Sequence, residues 1–234
     1  MAVTIYPFEG LGQFKNDWLH ARYHFSFSEY HNPARMGFGT LRVINDDIIQ
    51  PQSGFGMHPH RDMEIITYVR TGAISHEDNL GNKGRTAAGD VQVMSAGKGI
   101  LHAEQNAEDE ETNLFQIWIT PRENRVQPRW DMRQFPKTPV TEALHLLVSG
   151  RKEDDAQGAL YIHQDAFLYG GRLAAGAEIV HKLHNQAYLL VSEGEISLDG
   201  QPLKKGDGAE VTGQESVKIS AASDAEVVVI DVPA

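Results

Sequence analysis

Short apolar runs, each closed by glycine, asparagine or aspartate, set the pattern of this chain. β-Branched and aromatic residues concentrate at 41–44, 65–69, 91–94, 114–119, 188–191 and 227–232. Runs of this length and composition are strand signals. Turn signals fall between them, at Leu80-Gly81-Asn82, Asp199-Gly200 and Gly206-Asp207-Gly208. No long segment holds a 3.6-residue apolar period. The pattern predicts an all-β chain of short strands arranged as a sandwich or barrel.

A weak internal repeat refines this. Thr71-Gly72-Ala73-Ile74-Ser75 is followed by Gly89-Asp90, and Glu193-Gly194-Glu195-Ile196-Ser197 is followed by Gly206-Asp207. Each copy reads as strand, turn, strand, Gly-Asp turn, strand. Each then ends in an apolar strand, at 115–119 and 227–232. Two related β-barrels in tandem are expected. Pro121, Pro128, Pro136 and Pro139 mark the region 122–139 as a linker. The domains are therefore placed at 1–134 and 135–234.

Composition narrows the chemistry. With 234 residues, 41% hydrophobic and 23% charged, the proportions are globular. Cysteine is absent, which excludes disulfide scaffolds, thiolate metal sites and cysteine nucleophiles. The net charge is −11 and both halves are acidic, so a direct grip on nucleic acid is not expected. The run Glu108-Asp109-Glu110-Glu111 reads as a solvated loop. No segment has the roughly 18 consecutive apolar residues of a membrane helix. Residues 1–13 lack the basic and apolar regions of a secretory signal. A cytoplasmic location is expected.

Eleven histidines are the richest source of chemistry. In His58-Pro59-His60, residues i and i+2 of an extended run share a face, and Pro59 forbids a helix there. His102 and Glu104 have the same spacing, just after the Gly97-Lys98-Gly99 turn. The two pieces together offer three neutral nitrogens and one carboxylate, a donor set suited to a divalent transition metal. Such a set leaves coordination positions open, as a working metal requires. His20, His24, His31 and His76 are read as non-ligands, with His24 packing or hydrogen-bonding. Met63, Met94 and Trp118 are candidates to line the barrel cavity, with core filling the preferred reading for each. No nucleophile elbow, phosphate loop or dinucleotide fingerprint appears, and no cofactor-binding residues are assigned.

The five-part pattern His58-Pro59-His60, Glu64, Gly72, Gly89-Asp90 and Gly99-x-x-His102-x-x-x-Asn106 resembles the two cupin motifs, and specifically those of the pirin family of bicupins. The likeness extends to Phe25-Ser26-Phe27-x-x-Tyr30, Met36-Gly37-Phe38, Leu41-Arg42-Val43-Ile44-Asn45-Asp46-Asp47 and Ser95-Ala96-Gly97-Lys98-Gly99-Ile100. It covers roughly residues 18–121; the remainder is similar only to a degenerate cupin. The resemblance implies two tandem jelly-roll barrels. It puts the metal on His58, His60, His102 and Glu104, with Glu64 left as a supporting residue. The family metal is taken as Fe(II), although Mn, Co, Ni, Cu or Zn also suits these donors.

The resemblance further implies a quercetin 2,3-dioxygenase activity. A flavonol and dioxygen would be the substrates, and Glu104 would be the general base. The family also contains transcriptional co-regulators, so the alternative is a metal-dependent regulatory module that binds a protein partner without turnover. In the second repeat, His181 and His184 are spaced i, i+3 and face opposite ways on a strand. The segment corresponding to His102 and Glu104, about 216–224, has no histidine. The second barrel is expected to be a metal-free support. His145, His163, His181 and His184 are expected at the surface or in hydrogen bonds. With two barrels covering each other within one chain, a monomer is expected.

Overall fold

Strands and two short 3-10 turns, Phe8–Gly10 and Lys152–Gln157, make up the regular structure in a computed structural model that describes residues 2–234. The all-β expectation holds. Each apolar run lies inside a longer strand; 41–44, for example, opens the strand Leu41–Ile49, and 65–69 the strand Glu64–Thr71. The strand ends are longer than the apolar runs because backbone pairing continues through polar residues such as Asn45 and Asp46.

Each half of the chain folds as a seven-stranded sheet facing a four-stranded one. In the first half the large sheet runs in the order Arg129–Arg133, Val91–Ser95, Glu64–Thr71, Thr112–Ile119, Leu41–Ile49, Leu19–Tyr23, Gly12–Lys15. Its small sheet is Ser53–His60, Ile100–Asn106, Ala73–Asp78, Lys83–Ala87. In the second half the core of the large sheet is Gly208–Thr212, Gln186–Glu193, Ala225–Val232, Phe167–Leu173. Its small sheet is Glu178–Lys182, Ser216–Ala221, Glu195–Leu198, Gln201–Lys204. The two halves correspond strand for strand in these eight positions, which is the internal repeat seen as topology. Gly72 and Gly194 occupy equivalent hairpins with φ of +71° and +77°. A side chain at either would be strained and would collide with Thr112 or with the Asp224 carbonyl.

Two segments depart from a simple division of the chain. Ala2–Tyr6 crosses over to pair with Gly208–Thr212 in the second large sheet. The region read as a linker contains the strand Arg129–Arg133, paired antiparallel along Val91–Ser95. Val91–Ser95 would otherwise be a sheet edge with unpaired backbone groups. Trp130 anchors this added strand by stacking on His76, with ring centroids 4.8 Å apart. The proline-rich composition of the region gave no hint of this pairing.

The two large sheets pack against each other. One apolar cluster takes Ile44, Ile66, Val93, Phe115 and Ile117 from the first sheet, and Leu168, Tyr188, Leu190, Val228 and Ile230 from the second. Central strands are therefore buried on both faces, which is why they read as continuous apolar runs rather than alternating ones. Polar groups also cross this interface. Arg70, 8% exposed, donates to Asp46 at 2.6 Å and to the Ser192 hydroxyl at 3.1 Å. Ser192 in turn donates to Glu226 at 2.8 Å. Arg35 donates to Glu210 and to the Tyr188 hydroxyl, and its guanidinium lies 3.5 Å from the Tyr6 ring centroid.

The inward faces of the two barrels differ. On the equivalent strands the second barrel carries Leu189, Val191, Val211, Val227 and Val229, all within one apolar cluster with Ile179, Val217 and Ile219. The first barrel carries Asn45, Asp47, Thr67, Gln92 and Gln116 on its large sheet, every one of them buried.

Replacing Arg70 by Met should destabilise the chain by about 3–5 kcal/mol, because Asp46 would be left buried without its cation. Denaturant unfolding should show that loss. The double variant R70M/D46L should recover part of it, since no unpaired charge would remain.

Candidate metal centre

The first barrel holds a cavity of about 180 Å³, and His58, His60, His102 and Glu104 all line it. Their strands explain the convergence. His102 pairs directly with His58 across the small sheet. Between His102 and Glu104 the register shifts, because three steps from Phe55 to His58 oppose two on the partner strand. The bulge re-aims His58 inward, and Phe55 also reaches the cavity. The three imidazole rings lie 4.5–4.9 Å apart, centroid to centroid.

His60 and His102 are held as neutral bases. Burial, followed by the neighbouring His102 and His58, lowers the His60 pKa to about 4. Burial, then His58 and His76, lowers that of His102 to about 3. His58 has its Nδ1 2.7 Å from the Gly56 carbonyl. An acceptor there requires Nδ1–H, which leaves a lone pair on Nε2. His102 Nε2 is buried and has no partner among the described residues.

Glu104 is held from three sides. Gln92 Nε2 donates to Oε1 at 2.8 Å, Gln116 Nε2 to Oε2 at 2.8 Å, and the Thr67 hydroxyl to Oε1 at 3.2 Å. The ligand atoms of His58, His60 and His102 all lie within 4.8 Å of one another. Glu104 belongs to a second group of that span, with His102 and His76. The structure thus brings the four sequence-assigned residues to one cavity, and it adds His76 beside them.

The remaining walls mix aromatic and polar residues, and Tyr23 stands directly beside Asn45 on the large sheet. Tyr23, Phe27, Phe55 and Trp118 supply rings, and Asn45, Asp47 and Gln116 supply polar atoms. Trp118 packs against a core cluster and is also a cavity wall, set edge-on to His60 at 5.0 Å. Met63 and Met94 pack in a core cluster as expected. Asn45 Oδ1, Asp47 Oδ1, Trp118 Nε1 and His102 Nε2 are all buried and lack protein partners. Four such atoms around one cavity are a polar deficit that a bound group can satisfy. Burial, then the charges of Asp46 and Glu104, raises the Asp47 pKa well above the ordinary carboxylate range and favours the neutral acid.

These donors fit a divalent transition metal: neutral imidazoles with a free lone pair, an adjacent carboxylate, and supporting hydrogen bonds on both. The supporting residues Thr67, Gln92 and Gln116 are not singled out in the sequence, and His76 is set aside there as a non-ligand. Gln92 and Gln116 carried one usable signal, a long polar residue inside an apolar strand.

The other histidines take different roles. Glu64, fully buried, accepts from Ser95 at 2.8 Å and lies 3.4 Å from His163 of the second half, so it joins the two domains. His24 is buried, with Nδ1 3.0 Å from the Tyr188 hydroxyl. His181 departs from the expectation of a surface or hydrogen-bonded residue. It is buried against the Tyr169 ring at 4.6 Å, and its Nε2 has no partner.

Two jelly rolls in one chain, one of them with a buried imidazole–carboxylate cluster, define a bicupin. Comparison with known proteins narrows the class. The Pirin family model matches residues 8–119, and the model of the quercetinase C-terminal cupin domain matches residues 146–232. A pirin-like protein of Caulobacter vibrioides is 48% identical over 96% of this chain and 97% of its own. A quercetin 2,3-dioxygenase of Escherichia coli K12 is 40% identical over 95% of each chain. The crystal structure of the bacterial pirin YhhW from Escherichia coli in complex with nickel(II) superposes with a TM-score of 0.91. It is 38% identical and covers 99% of both chains. The chain belongs to the pirin family.

The depressed histidine pKa values have a consequence for the metal-free protein. In the unfolded chain His102 titrates near its ordinary value of about 6.5. The unfolded state therefore takes up protons first as the pH falls. The contribution of His102 to stability is complete above about pH 6.5 and drains away down to about pH 3. The loss is at most about 1.4 kcal/mol per pH unit. Urea midpoints of metal-free protein should fall over this range, and His102→Gln should flatten that fall.

Proposed function

We propose that this protein is a metal-dependent dioxygenase that opens the heterocyclic ring of flavonols such as quercetin. In this reading residues 1–134 form the metal-binding unit and 135–234 the metal-free support. One observation carries it: a single aromatic-walled cavity gathers three imidazoles and a hydrogen-bonded carboxylate. The naming of the Escherichia coli relative as a quercetin 2,3-dioxygenase supports the substrate class.

His58, His60, His102 and Glu104 would hold the metal, with Fe(II) as the proposed ion. When bound, it supplies a Lewis acid for a flavonol oxygen and a redox centre for dioxygen. The chain's own residues do the rest. Tyr23, Phe27, Phe55 and Trp118 bind the flat rings by apolar contact and keep water out. Asn45 and the neutral Asp47, on the same sheet as Tyr23, offer hydrogen bonds to substrate oxygens. Glu104 accepts the proton of the 3-hydroxyl group as general base. Gln92, Gln116 and Thr67 fix the direction in which its free lone pairs point. Preorganisation of this kind lowers the cost of reaching the reactive geometry.

Anaerobic loading with ferrous iron, followed by quercetin and oxygen, should give loss of the flavonol absorption band and release of carbon monoxide. His58→Ala and metal-free protein should give neither. Glu104→Gln should lower turnover by about 10²- to 10⁴-fold while a bound metal is still detected. Full turnover in that variant would remove Glu104 as the base. Absence of turnover with stoichiometric metal bound, across iron, manganese, cobalt, nickel and copper, would replace the enzyme reading with that of a regulatory metal protein.

A further inference from the structure

His102 makes its second contact inside the barrel wall. Its Nδ1 lies 3.4 Å from His76 Nδ1, and His76 Nε2 lies 3.2 Å from Asp78 Oδ2. All three side chains are buried, at 1%, 3% and 5% exposed. They stand on neighbouring strands, where His102 pairs with Asp78 and Glu104 with His76. Three donors besides His76 converge on Asp78. The Leu80 amide reaches Oδ1 at 2.9 Å and the Asn82 amide at 3.0 Å, while Asn82 Nδ2 reaches Oδ2 at 2.8 Å.

We propose that Asp78 and His76 form a hydrogen-bond chain that fixes the tautomer of His102 and so turns its Nε2 lone pair toward the metal site. This rests on the reading of His58, His60 and His102 as metal ligands. The direction of the chain follows from donor and acceptor counts. An ionised carboxylate only accepts, so His76 must present Nε2–H to Asp78. A neutral His76 then carries a lone pair on Nδ1. His102 must place its own proton on Nδ1 to meet it. Its Nε2 is left as a bare acceptor, and that atom is the buried one without a protein partner. His58 reaches the same state through a single carbonyl, that of Gly56. His102 instead reaches a charged group through an intervening ring.

The consequence is energetic as well as geometric. A carboxylate linked to a ligand imidazole raises the ligand's basicity and holds its ring plane. Trp130 adds to the positioning by stacking on His76 with an interplanar angle of 8°. Trp130 stands on the strand that closes the edge of the large sheet, so that strand also steadies the metal-site wall. His76 is thus a positioning residue, acting through His102.

Two measurements test the proposal. In metal-free, ¹⁵N-histidine-labelled protein, long-range proton–nitrogen NMR should show His102 as the Nδ1–H tautomer, its signals identified by their loss in His102→Gln. An Nε2–H tautomer would overturn the chain outright, whether or not the protein binds metal. Cobalt(II) affinity by chelator competition should then fall about 10- to 100-fold in His76→Phe, which keeps an aromatic ring over Trp130 but removes the acceptor. His76→Gln should recover most of the affinity, because its amide can accept from His102 and donate to Asp78. Unchanged affinity in His76→Phe would overturn the role assigned to His76. If the unsubstituted protein bound no cobalt, the metal reading would fail and take this role with it, while the tautomer spectrum would still judge the hydrogen-bond chain.

Discussion

The packing of the two large sheets against each other is the constraint on which the rest of the molecule depends. A seven-stranded sheet has two faces, and each jelly roll can cover only one of them with its own small sheet. The second face must find another partner, and the other half of the chain supplies it. The strands Glu64–Thr71 and Ala225–Val232 are consequently buried on both sides along nearly their full length. The crossing of Ala2–Tyr6 into the second sheet and the Glu64–Ser95–His163 contact tie the halves further. The large-sheet wall of the cavity, which supplies Thr67, Gln92 and Gln116 to Glu104, is thus one that the second barrel holds in place.

Common topology makes the contrast between the two barrels instructive. Equivalent strands deliver aliphatic side chains into one interior and amides, acids and a hydroxyl into the other. The second interior closes by apolar packing, which leaves no set of convergent donors on its large sheet. The first exchanges that packing for a polar network around Glu104 and a cavity with unpartnered polar atoms. Burying such groups costs stability unless partners are supplied. Gln92, Gln116 and Thr67 offset part of that cost for the carboxylate. The atoms left over mark where a metal and a substrate would complete the network.

The imidazole cluster follows the same logic. Three rings within 5 Å cannot all carry protons in a buried wall, and the lowered pKa values of His60 and His102 express that. Neutral rings keep a lone pair free, and hydrogen bonds at the far nitrogens of His58 and His102 decide which one. The ligand-facing chemistry is therefore set by groups outside the cavity, namely the Gly56 carbonyl and the His76–Asp78 pair. Asn45, paired with Tyr23 on the large sheet, and Asp47 bring polar atoms into the same cavity as the aromatic rings.

Much of this was written in the linear pattern. Glycine-punctuated apolar runs give short strands because β-branched residues suit a pleated surface and glycine alone fits the left-handed hairpin positions, as at Gly72 and Gly194. The two-residue period put His58 with His60, and His102 with Glu104, on common faces. What the local pattern could not carry were the pairings between distant strands. The bulge before His58, the strand Arg129–Arg133 inside an apparent linker, and the passage of Ala2–Tyr6 into the far sheet arise from register and unfilled sheet edges. The same holds for His76, Gln92 and Gln116. Each looks unremarkable alone and gains its role only when the sheets bring it within hydrogen-bond distance of His102 or Glu104. Sequence determined which faces the candidate ligands occupy, because side-chain direction is a local property of the backbone. Tertiary structure decided what stands behind them, because hydrogen-bond partners are set by strand pairing across the fold.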